Sequence, residues 1–257
     1  MKRLLVLLWI APTVALAASA LDGTWKTKAD SLQVSGPPDA YEISQGMYRC
    51  TSCVSPISVK ADGTDQSVTG HDYYDTVAVR IIDGNSIERT TKKAGKIIGT
   101  DAATVSADGK TLTEKWVFYP GAQPAKGTNT SSRLTAGPAG SHAMSGTWQQ
   151  DRFSDASDSL LTIKYQSTAD GLKMEWNGQS YDAKFDGKEY LTKGDPGKTM
   201  VSLKRIDANT IEETDRRGGK VNDIVRTTVS PDGKSLAVVD TDPVQNTKMT
   251  YTMMKQP

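Results

Sequence analysis

One stretch of the sequence occurs twice, and this repeat constrains the fold more than any other feature. Residues 76–112 share a common pattern with residues 200–236, so that Leu112 corresponds to Leu236. The offset is 124 residues throughout, without a gap. Solenoid repeats run about 20–50 residues, so a repeat at this distance indicates two complete copies of one structural unit instead of a solenoid.

Both copies are predicted to consist of β-strands. Val77, Val79 and Ile81 alternate with Ala and Arg, and this period of two is typical of a half-buried strand. Asp-Gly pairs at 108–109 and 232–233 supply the positive φ that tight hairpin turns require. Counting such segments gives about nine strands in each copy.

The number of strands favours closed barrels. A meander leaves two edges, and closing the sheet on itself removes them. One joint barrel of about eighteen strands would enclose a lumen too wide to fill, since side chains just suffice at about eight strands. We therefore predict an all-β chain of two tandem antiparallel meander β-barrels. The predicted units are a signal peptide at 1–20, a first barrel at 21–134, a linker at 135–144 and a second barrel at 145–257.

The start of the chain has the pattern of a secretory signal peptide. Lys2 and Arg3 precede an apolar run and an Ala-x-Ala cleavage site that ends at Ala17 or Ala20. A transmembrane anchor would need about 20 apolar residues, and this run is shorter and interrupted by Pro12. We expect a periplasmic or secreted protein without a transmembrane segment after cleavage of the signal.

The charge of the chain argues against a nucleic-acid partner. The formal net charge is +1. Lys and Arg are spread evenly, whereas a nucleic-acid surface needs a basic face or stripe.

The triplet Gly-Thr-Trp stands at 23–25 and again at 146–148, at the first predicted strand of each copy. This start resembles the Gly-x-Trp opening of the lipocalin-like (calycin) barrels. The tandem arrangement, with Val-Ser-x-Asp-Gly-Lys late in each copy, also resembles uncharacterised exported bacterial proteins. That second resemblance implies no chemistry.

The lipocalin-like resemblance implies a structural role for the two tryptophans. In that family the tryptophan closes one end of the barrel, and a basic residue of the last strand lies over its ring in a cation–π contact. For Trp25 the expected partner is Arg133. For Trp148 the choice is open between Lys248 and Lys255.

Cys50 and Cys53 are the only cysteines. In an exported protein two cysteines most often form a disulfide, which here would staple a tight hairpin. A redox-active pair would need a thiol pKa lowered by a helix N-terminus or by cations, and this segment has strand character instead. A role in metal binding or as labile thiols is the remaining alternative.

A loop before the central strand of the first copy is the second candidate site. Its residues are His71, Asp72, Tyr73, Tyr74 and Asp75. A histidine with two carboxylates could bind a divalent metal, and two tyrosines could contact a ligand at a barrel mouth. A second imidazole at ligand spacing is missing, so a solvated, partly packed loop is the alternative.

Trp116 is a candidate lumen residue. It lies in an aromatic strand that has no counterpart in the second copy, so we expect the first copy to carry any binding site. Large aromatic side chains in small barrels are, however, more often part of the core.

The sequence lacks a recognisable catalytic pattern. It has no nucleophile elbow, no triad and no phosphate-binding loop. Acidic pairs such as Glu212 and Glu213 are interpreted as solvent-facing charges, not as a general acid and base. We therefore expect neither an enzyme nor a cofactor.

The leading hypothesis is an exported binding protein that carries a small, largely apolar molecule in a barrel lumen. The alternative is a structural or interaction module of the cell envelope, with filled barrels, no ligand and an envelope protein as partner. An enzyme or redox protein built on Cys50 and Cys53, or on His71, is the third hypothesis.

Overall fold

The computed structural model describes residues 20–119 and 124–257, and its regular structure is almost entirely β-strand. The two helical segments are a 3-10 helix at Ala29–Ser31 and α1 at Asp158–Leu161. Up to residue 136 the strands are β1 Gly23–Thr27, β2 Gln33–Ser35, β3 Asp39–Ser44, β4 Met47–Cys50, β5 Ile57–Lys60, β6 Gln66–Ser67, β7 Thr76–Ile81, β8 Ser86–Lys93, β9 Lys96–Val105, β10 Thr111–Phe118 and β11 Ala125–Ala136. From residue 146 they are β12 Gly146–Ser154, β13 Thr162–Ser167, β14 Gly171–Trp176, β15 Gln179–Lys184, β16 Tyr190–Leu191, β17 Met200–Arg205, β18 Thr210–Arg217, β19 Lys220–Val229, β20 Ser235–Asp242 and β21 Thr247–Lys255.

The strands form two antiparallel sheets. The first barrel consists of β3 to β12, in the order β5-β4-β3-β12-β11-β10-β9-β8-β7-β6. The second barrel consists of β1 and β13 to β21, in the order β15-β14-β13-β1-β21-β20-β19-β18-β17-β16. The short strand β2 pairs with β21 outside this path.

Each sheet curls until its two ends almost meet. In the first barrel an isolated bridge joins Asp62 to Arg80. In the second barrel Ser180 and Lys193 exchange two backbone hydrogen bonds of 3.0 and 2.8 Å. The predicted fold class, all-β with two tandem antiparallel barrels, is confirmed, and the path of the first sheet has 10 strands where about nine were expected.

The first strand of each sequence copy lies in the sheet of the other copy. β1 inserts between β13 and β21. β12 inserts between β11 and β3. The sheets are therefore not divided at the expected boundaries, 21–134 and 145–257, because the two copies exchange one strand reciprocally.

A short connection accounts for this exchange. Residues 137–145 join β11 to β12, and within them the Gly137 N–H donates to the Ser145 carbonyl at 3.0 Å. Strands joined by so short a link usually lie side by side, so β12 completes the first barrel. The place between β13 and β21 is then filled by β1, and β2 runs along β21 as the chain passes to the first barrel.

Each exchanged strand brings its tryptophan into a barrel core. Trp25 and Trp148 are both 0% exposed. The indole N–H of Trp25 donates to the Leu21 carbonyl at 2.8 Å, and that of Trp148 donates to the Met144 carbonyl at 2.9 Å. The same contact, four residues back along the chain, thus recurs in both copies.

The basic residues over the indole rings follow the exchanged strands. Arg133 Cζ lies 3.9 Å from the centroid of the Trp148 ring, and Lys255 Nζ lies 5.1 Å from that of Trp25. Arg133 therefore covers Trp148 and not Trp25 as expected, because β12 and not β1 lies beside β11. Lys255 covers Trp25 for the corresponding reason.

The glycine that precedes each tryptophan by two residues has a structural explanation. Gly146 has a φ of +127°, and a Cβ at this position would lie 2.1 Å from the Thr135 carbonyl oxygen. Gly23 has a φ of +132°, and its Cβ would lie 2.9 Å from the Lys255 side chain. Glycine is favoured at both positions by the positive φ, and at Gly146 also by the close approach of the neighbouring strand.

The expected signal peptide at 1–20 lies, apart from Ala20, outside the described residues. In the part of the chain that the structure describes, no helix is both long enough and apolar enough to span a membrane.

Candidate functional site

A cavity of about 680 Å³ occupies the lumen of the second barrel and extends to the first barrel. Most of its wall is apolar or aromatic. The apolar side chains that the second barrel contributes include Ile163, Met174, Val225, Val238, Met249 and Met253. The first barrel contributes four aromatic side chains: Tyr73, Tyr74, Phe118 and Phe153. Both barrels therefore build the wall of this cavity.

Four acidic side chains of the second barrel also face the cavity. They are Glu213, Asp215, Asp223 and Asp240. Side chains alternate between the two faces of a strand, so Glu213 and Asp215 point to the same side of β18 as the buried Ile211. The acids come from β18, β19 and β20, which are neighbours in the sheet and therefore bring these groups close together.

Three of these acids have partners within the protein, and Glu213 and Asp215 share a side-chain hydrogen bond. The Tyr181 hydroxyl donates to Glu213 Oε2 at 2.6 Å. The Arg217 guanidinium donates from Nη2 to Asp223 Oδ2 at 2.9 Å. Arg217 is thus paired with Asp223, and its charge lowers the pKa of Asp215 and of Asp240 less than burial and the neighbouring acids raise it.

Asp215 and Asp240 each have a buried oxygen, Oδ1, without a hydrogen-bond partner among the described residues. Burial, together with the charge of Glu213, raises the pKa of Asp215 to about 9. Burial, together with the charge of Asp223, raises the pKa of Asp240 to about 7. Burial also raises the pKa of Glu213. The lumen therefore holds carboxyl groups that stay partly protonated near neutral pH.

The first barrel fills the corresponding space with its own side chains. Arg89 stands at the position that Glu213 has in the second barrel, 124 residues later. Its guanidinium donates to both carboxylate oxygens of Asp101 at 2.6 Å, to Glu114 and, at 2.9 Å, to the Tyr48 hydroxyl. Two acids of the first lumen, Asp101 and Glu114, are thus paired with one cation of the same chain.

Trp116 lines the lumen of the first barrel at the position where the second barrel has Asp240. Its ring stacks on Phe153 with a centroid distance of 5.9 Å. Gly127 makes room for it, because a Cβ there would lie 2.6 Å from the indole. The first cavity has only about 280 Å³. The larger cavity therefore lies in the second copy, although the extra aromatic residues favoured the first.

The candidate loop of the first copy contributes its two tyrosines to the large cavity. The ring centroid of Tyr73 lies 5.0 Å from Arg217 Cζ and 6.3 Å from the ring centroid of Phe118. Tyr73 also packs on Gly197, where a Cβ would come within 3.0 Å of its ring. Burial raises the pKa of Tyr73 to about 12. Gly197 is the residue at the same position of the second copy, so the two corresponding loops meet at the cavity.

The other residues of that loop lie outside the described wall of the cavity. The His71 ring stacks on Tyr74 at 4.4 Å, and its Nε2 is buried without a hydrogen-bond partner among the described residues. Asp75 accepts a hydrogen bond from the Ala94 N–H at 2.9 Å, and Asp72 is exposed. Within the described chain, no group of three or more His, Cys, Asp or Glu side chains is arranged to hold a metal ion.

The sulfur atoms of Cys50 and Cys53 are 2.03 Å apart, in agreement with the predicted disulfide. The bond lies in the connection between β4 and β5, which pair with each other. Cys50 is buried in the core of the first barrel, and Cys53 touches the smaller cavity. This location fits a hairpin staple, and the redox and labile-thiol alternatives stay untested predictions.

The interpretation of Glu212 and Glu213 as two solvent-facing charges is wrong for Glu213. Only Glu212 faces outwards, where it accepts a hydrogen bond from Arg226 at 2.6 Å. The sequence did contain a signal for this difference. Glu213 stands two residues after the apolar Ile211, which marks the inner face of the strand.

No family model matches the chain, and no curated protein matches its sequence. A functional conclusion therefore depends on the cavity and on the side chains that form it.

Proposed function

We propose that this protein is an exported binding protein that carries a small, largely apolar molecule in the lumen of the second barrel. The observation that carries this proposal is the cavity of about 680 Å³ with its mostly apolar and aromatic wall. Small-molecule sites are typically concave, measure about 300–1,000 Å³ and combine apolar walls with a few polar groups. The Gly-x-Trp start of each copy, which resembles that of lipocalin-like barrels, supports the same function.

Export is supported by two features. The first 20 residues have the pattern of a signal peptide. Cys50 and Cys53 are bonded, and disulfides persist mainly in oxidising compartments. Together these features favour the periplasm or the extracellular medium.

A fluorescence titration with N-phenyl-1-naphthylamine, an uncharged apolar probe, tests the proposal. We expect saturable binding to the wild type. The decisive variant is Asp240→Trp, because it gives the second barrel the residue that the first barrel has at this position, Trp116. The added indole fills part of the lumen, and we expect it to weaken probe binding by at least about tenfold.

Ala237→Trp is the matched control. Ala237 is exposed on the same strand, β20, so this substitution adds an indole on the outside of the barrel. We expect this variant to bind the probe like the wild type. A wild type without saturable binding, or equal binding by both variants, would contradict the proposal.

The first barrel favours a second candidate function, that of a structural or interaction module of the cell envelope. Its lumen is occupied by the Arg89 network and by Trp116. A protein used only in this way would need an envelope partner and no ligand. The larger cavity of the second barrel is the reason to prefer the binding function.

A further inference from the structure

We propose that the molecule bound in the second barrel is an amine, whose ammonium group lies among the carboxyl groups of Glu213, Asp215 and Asp240 and whose apolar body fills the rest of the lumen. These three groups are called the lumen carboxyls below. The inference rests on the proposed function and adds the chemical class of its ligand.

The lumen carboxyls occupy one sector of the barrel wall. In the register of the sheet, Glu213 on β18 is opposite Val225 on β19, and Val225 is opposite Asp240 on β20. Asp215 follows Glu213 on the same face of β18. The three side chains therefore line the same part of the lumen.

Another sector of the wall is apolar. Ile163 on β13 and both Met174 and Trp176 on β14 face the same cavity. The lumen thus combines an acidic sector with an apolar one. This combination suits a ligand with a charged head and a hydrocarbon body better than a purely apolar molecule.

The described wall contains a single cationic side chain, Arg217. It is paired with Asp223 at 2.9 Å and lies over the Tyr73 ring. No ion pair within residues 20–119 and 124–257 includes a lumen carboxyl. When these carboxyls ionise, none of them therefore has a cation of the described chain in direct contact.

Two atoms of the lumen carboxyls also lack hydrogen bonds. Asp215 Oδ1 and Asp240 Oδ1 are buried without a partner among the described residues. Leaving such acceptors unpaired costs free energy, which a donor from a ligand recovers. An ammonium group carries three N–H donors and a positive charge. It can therefore donate hydrogen bonds to the unpaired oxygens and also act as a counter-ion for the ionised carboxylates.

The first barrel shows how this chain neutralises a similar lumen. There Arg89 binds Asp101 and Glu114 from within the barrel. The second barrel has Glu213 at the position of Arg89, so it has an acid where the first barrel has a cation, and it has more free volume. A ligand cation would take the electrostatic role that Arg89 has in the first barrel.

Isothermal titration with three matched probes tests the inference. The probes are decylammonium, 1-decanol and decanoate, which share one hydrocarbon chain and differ in head group. We expect decylammonium to bind at least about tenfold more tightly than 1-decanol, because its head group is charged and donates to carboxylates. Decanoate is expected to bind most weakly, since the lumen carboxyls repel it.

Two variants assign the effect to the lumen carboxyls. In Asp240→Asn and in Glu213→Gln we expect the advantage of decylammonium over 1-decanol to fall to about twofold or less. Glu212→Gln is the matched control, because Glu212 faces outwards on the same strand. It should keep the full advantage. Thermal unfolding of each variant confirms that it is folded.

The outcomes separate this inference from the proposed function. If 1-decanol or decanoate binds as tightly as decylammonium, the inference that the ligand is an amine is overturned, while the proposed apolar site stands. If decylammonium keeps its advantage in both lumen variants, its head group lies elsewhere and the inference is overturned. If none of the three probes binds to the wild type, both the inference and the proposed function fail.

Discussion

Four inward positions account for the different lumens of the two barrels. At an offset of 124 residues the pairs are Arg89 and Glu213, Asp101 and Val225, Glu114 and Val238, and Trp116 and Asp240. At these positions the first barrel has two acids paired with Arg89, and a bulky indole. The second has two acids and two small apolar side chains, which leave space and, at Asp240, an unpaired carboxyl oxygen.

We predict that Asp215 and Asp240 make the protein less stable as the pH rises from about 5 to about 9. An aspartate with the ordinary pKa of 3.8 is ionised in the unfolded chain, whereas Asp240 titrates at about 7 and Asp215 at about 9 in the folded protein. The folded state therefore binds more protons than the unfolded state in this range, and its stability falls with increasing pH. Urea unfolding at about pH 5 and about pH 8.5 measures the effect.

Replacing one acid tests the origin of this slope. Asp240→Asn removes a group that must ionise in the lumen, so we expect it to raise the free energy of unfolding by about 1–2 kcal/mol at high pH and to flatten the pH dependence. The charged groups that act on Asp240 stay in place, namely Asp223, Asp242, Glu213 and Arg217. Asp182→Asn, on the exposed side of β15, is the control and should keep the slope. A wild type that gains stability over this pH range would contradict the account.

At the scale of residues, the roles of some side chains could be predicted from the sequence and those of others could not. Trp25 and Trp148 could be identified as core residues from their triplets. The cation over each ring could not, because it depends on which strand lies beside the tryptophan. Glu213 could have been assigned to the lumen from its spacing to Ile211, but its unpaired environment depends on neighbours from other strands.

At the scale of elements, the reciprocal exchange of β1 and β12 is the main feature beyond the sequence pattern. The alternation of apolar residues and the Asp-Gly turns predicted strands and hairpins. These patterns do not determine which sheet each of the two strands joins, because both strands start with the same triplet, at 23–25 and at 146–148. The short connection 137–145, which favours pairing of β11 with β12, makes that choice in the folded chain.

Engineered disulfides test the exchange. Thr24 on β1 is opposite Lys164 on β13 in the second barrel. Opposite residues in antiparallel strands have Cα atoms about 4.5–5.5 Å apart, within the range of a disulfide. We therefore predict that the double variant Thr24→Cys, Lys164→Cys forms a cross-link under oxidising conditions, detected by peptide mass spectrometry.

The matched control is the double variant Thr24→Cys, Ala40→Cys. Thr147 on β12 is opposite Ala40 in the first barrel. Thr24 would take this place if each copy kept its own first strand. We predict no cross-link between positions 24 and 40. A cross-link there, and none between 24 and 164, would contradict the exchange.

At the scale of the whole molecule, one barrel is filled and the other is open. The first barrel contributes Tyr73 and Phe118 to the wall of the second cavity, and Tyr73 packs on Gly197 at the junction. The two barrels therefore exchange strands and also share the wall of one cavity. The repeat predicted two similar units, but it could not show which lumen is larger, since that depends on how Trp116 and Gly127 fit together.

Native mass spectrometry of the protein purified from its own host without detergent tests the central claim most directly. We predict that the wild type carries a single additional small molecule of defined mass, and that Asp240→Trp, purified in parallel, lacks it. Release of that molecule by denaturation would allow its head group to be identified. A wild type with the mass of the chain alone, or bound only to a stoichiometric protein partner, would contradict the claim that the second barrel is a binding site.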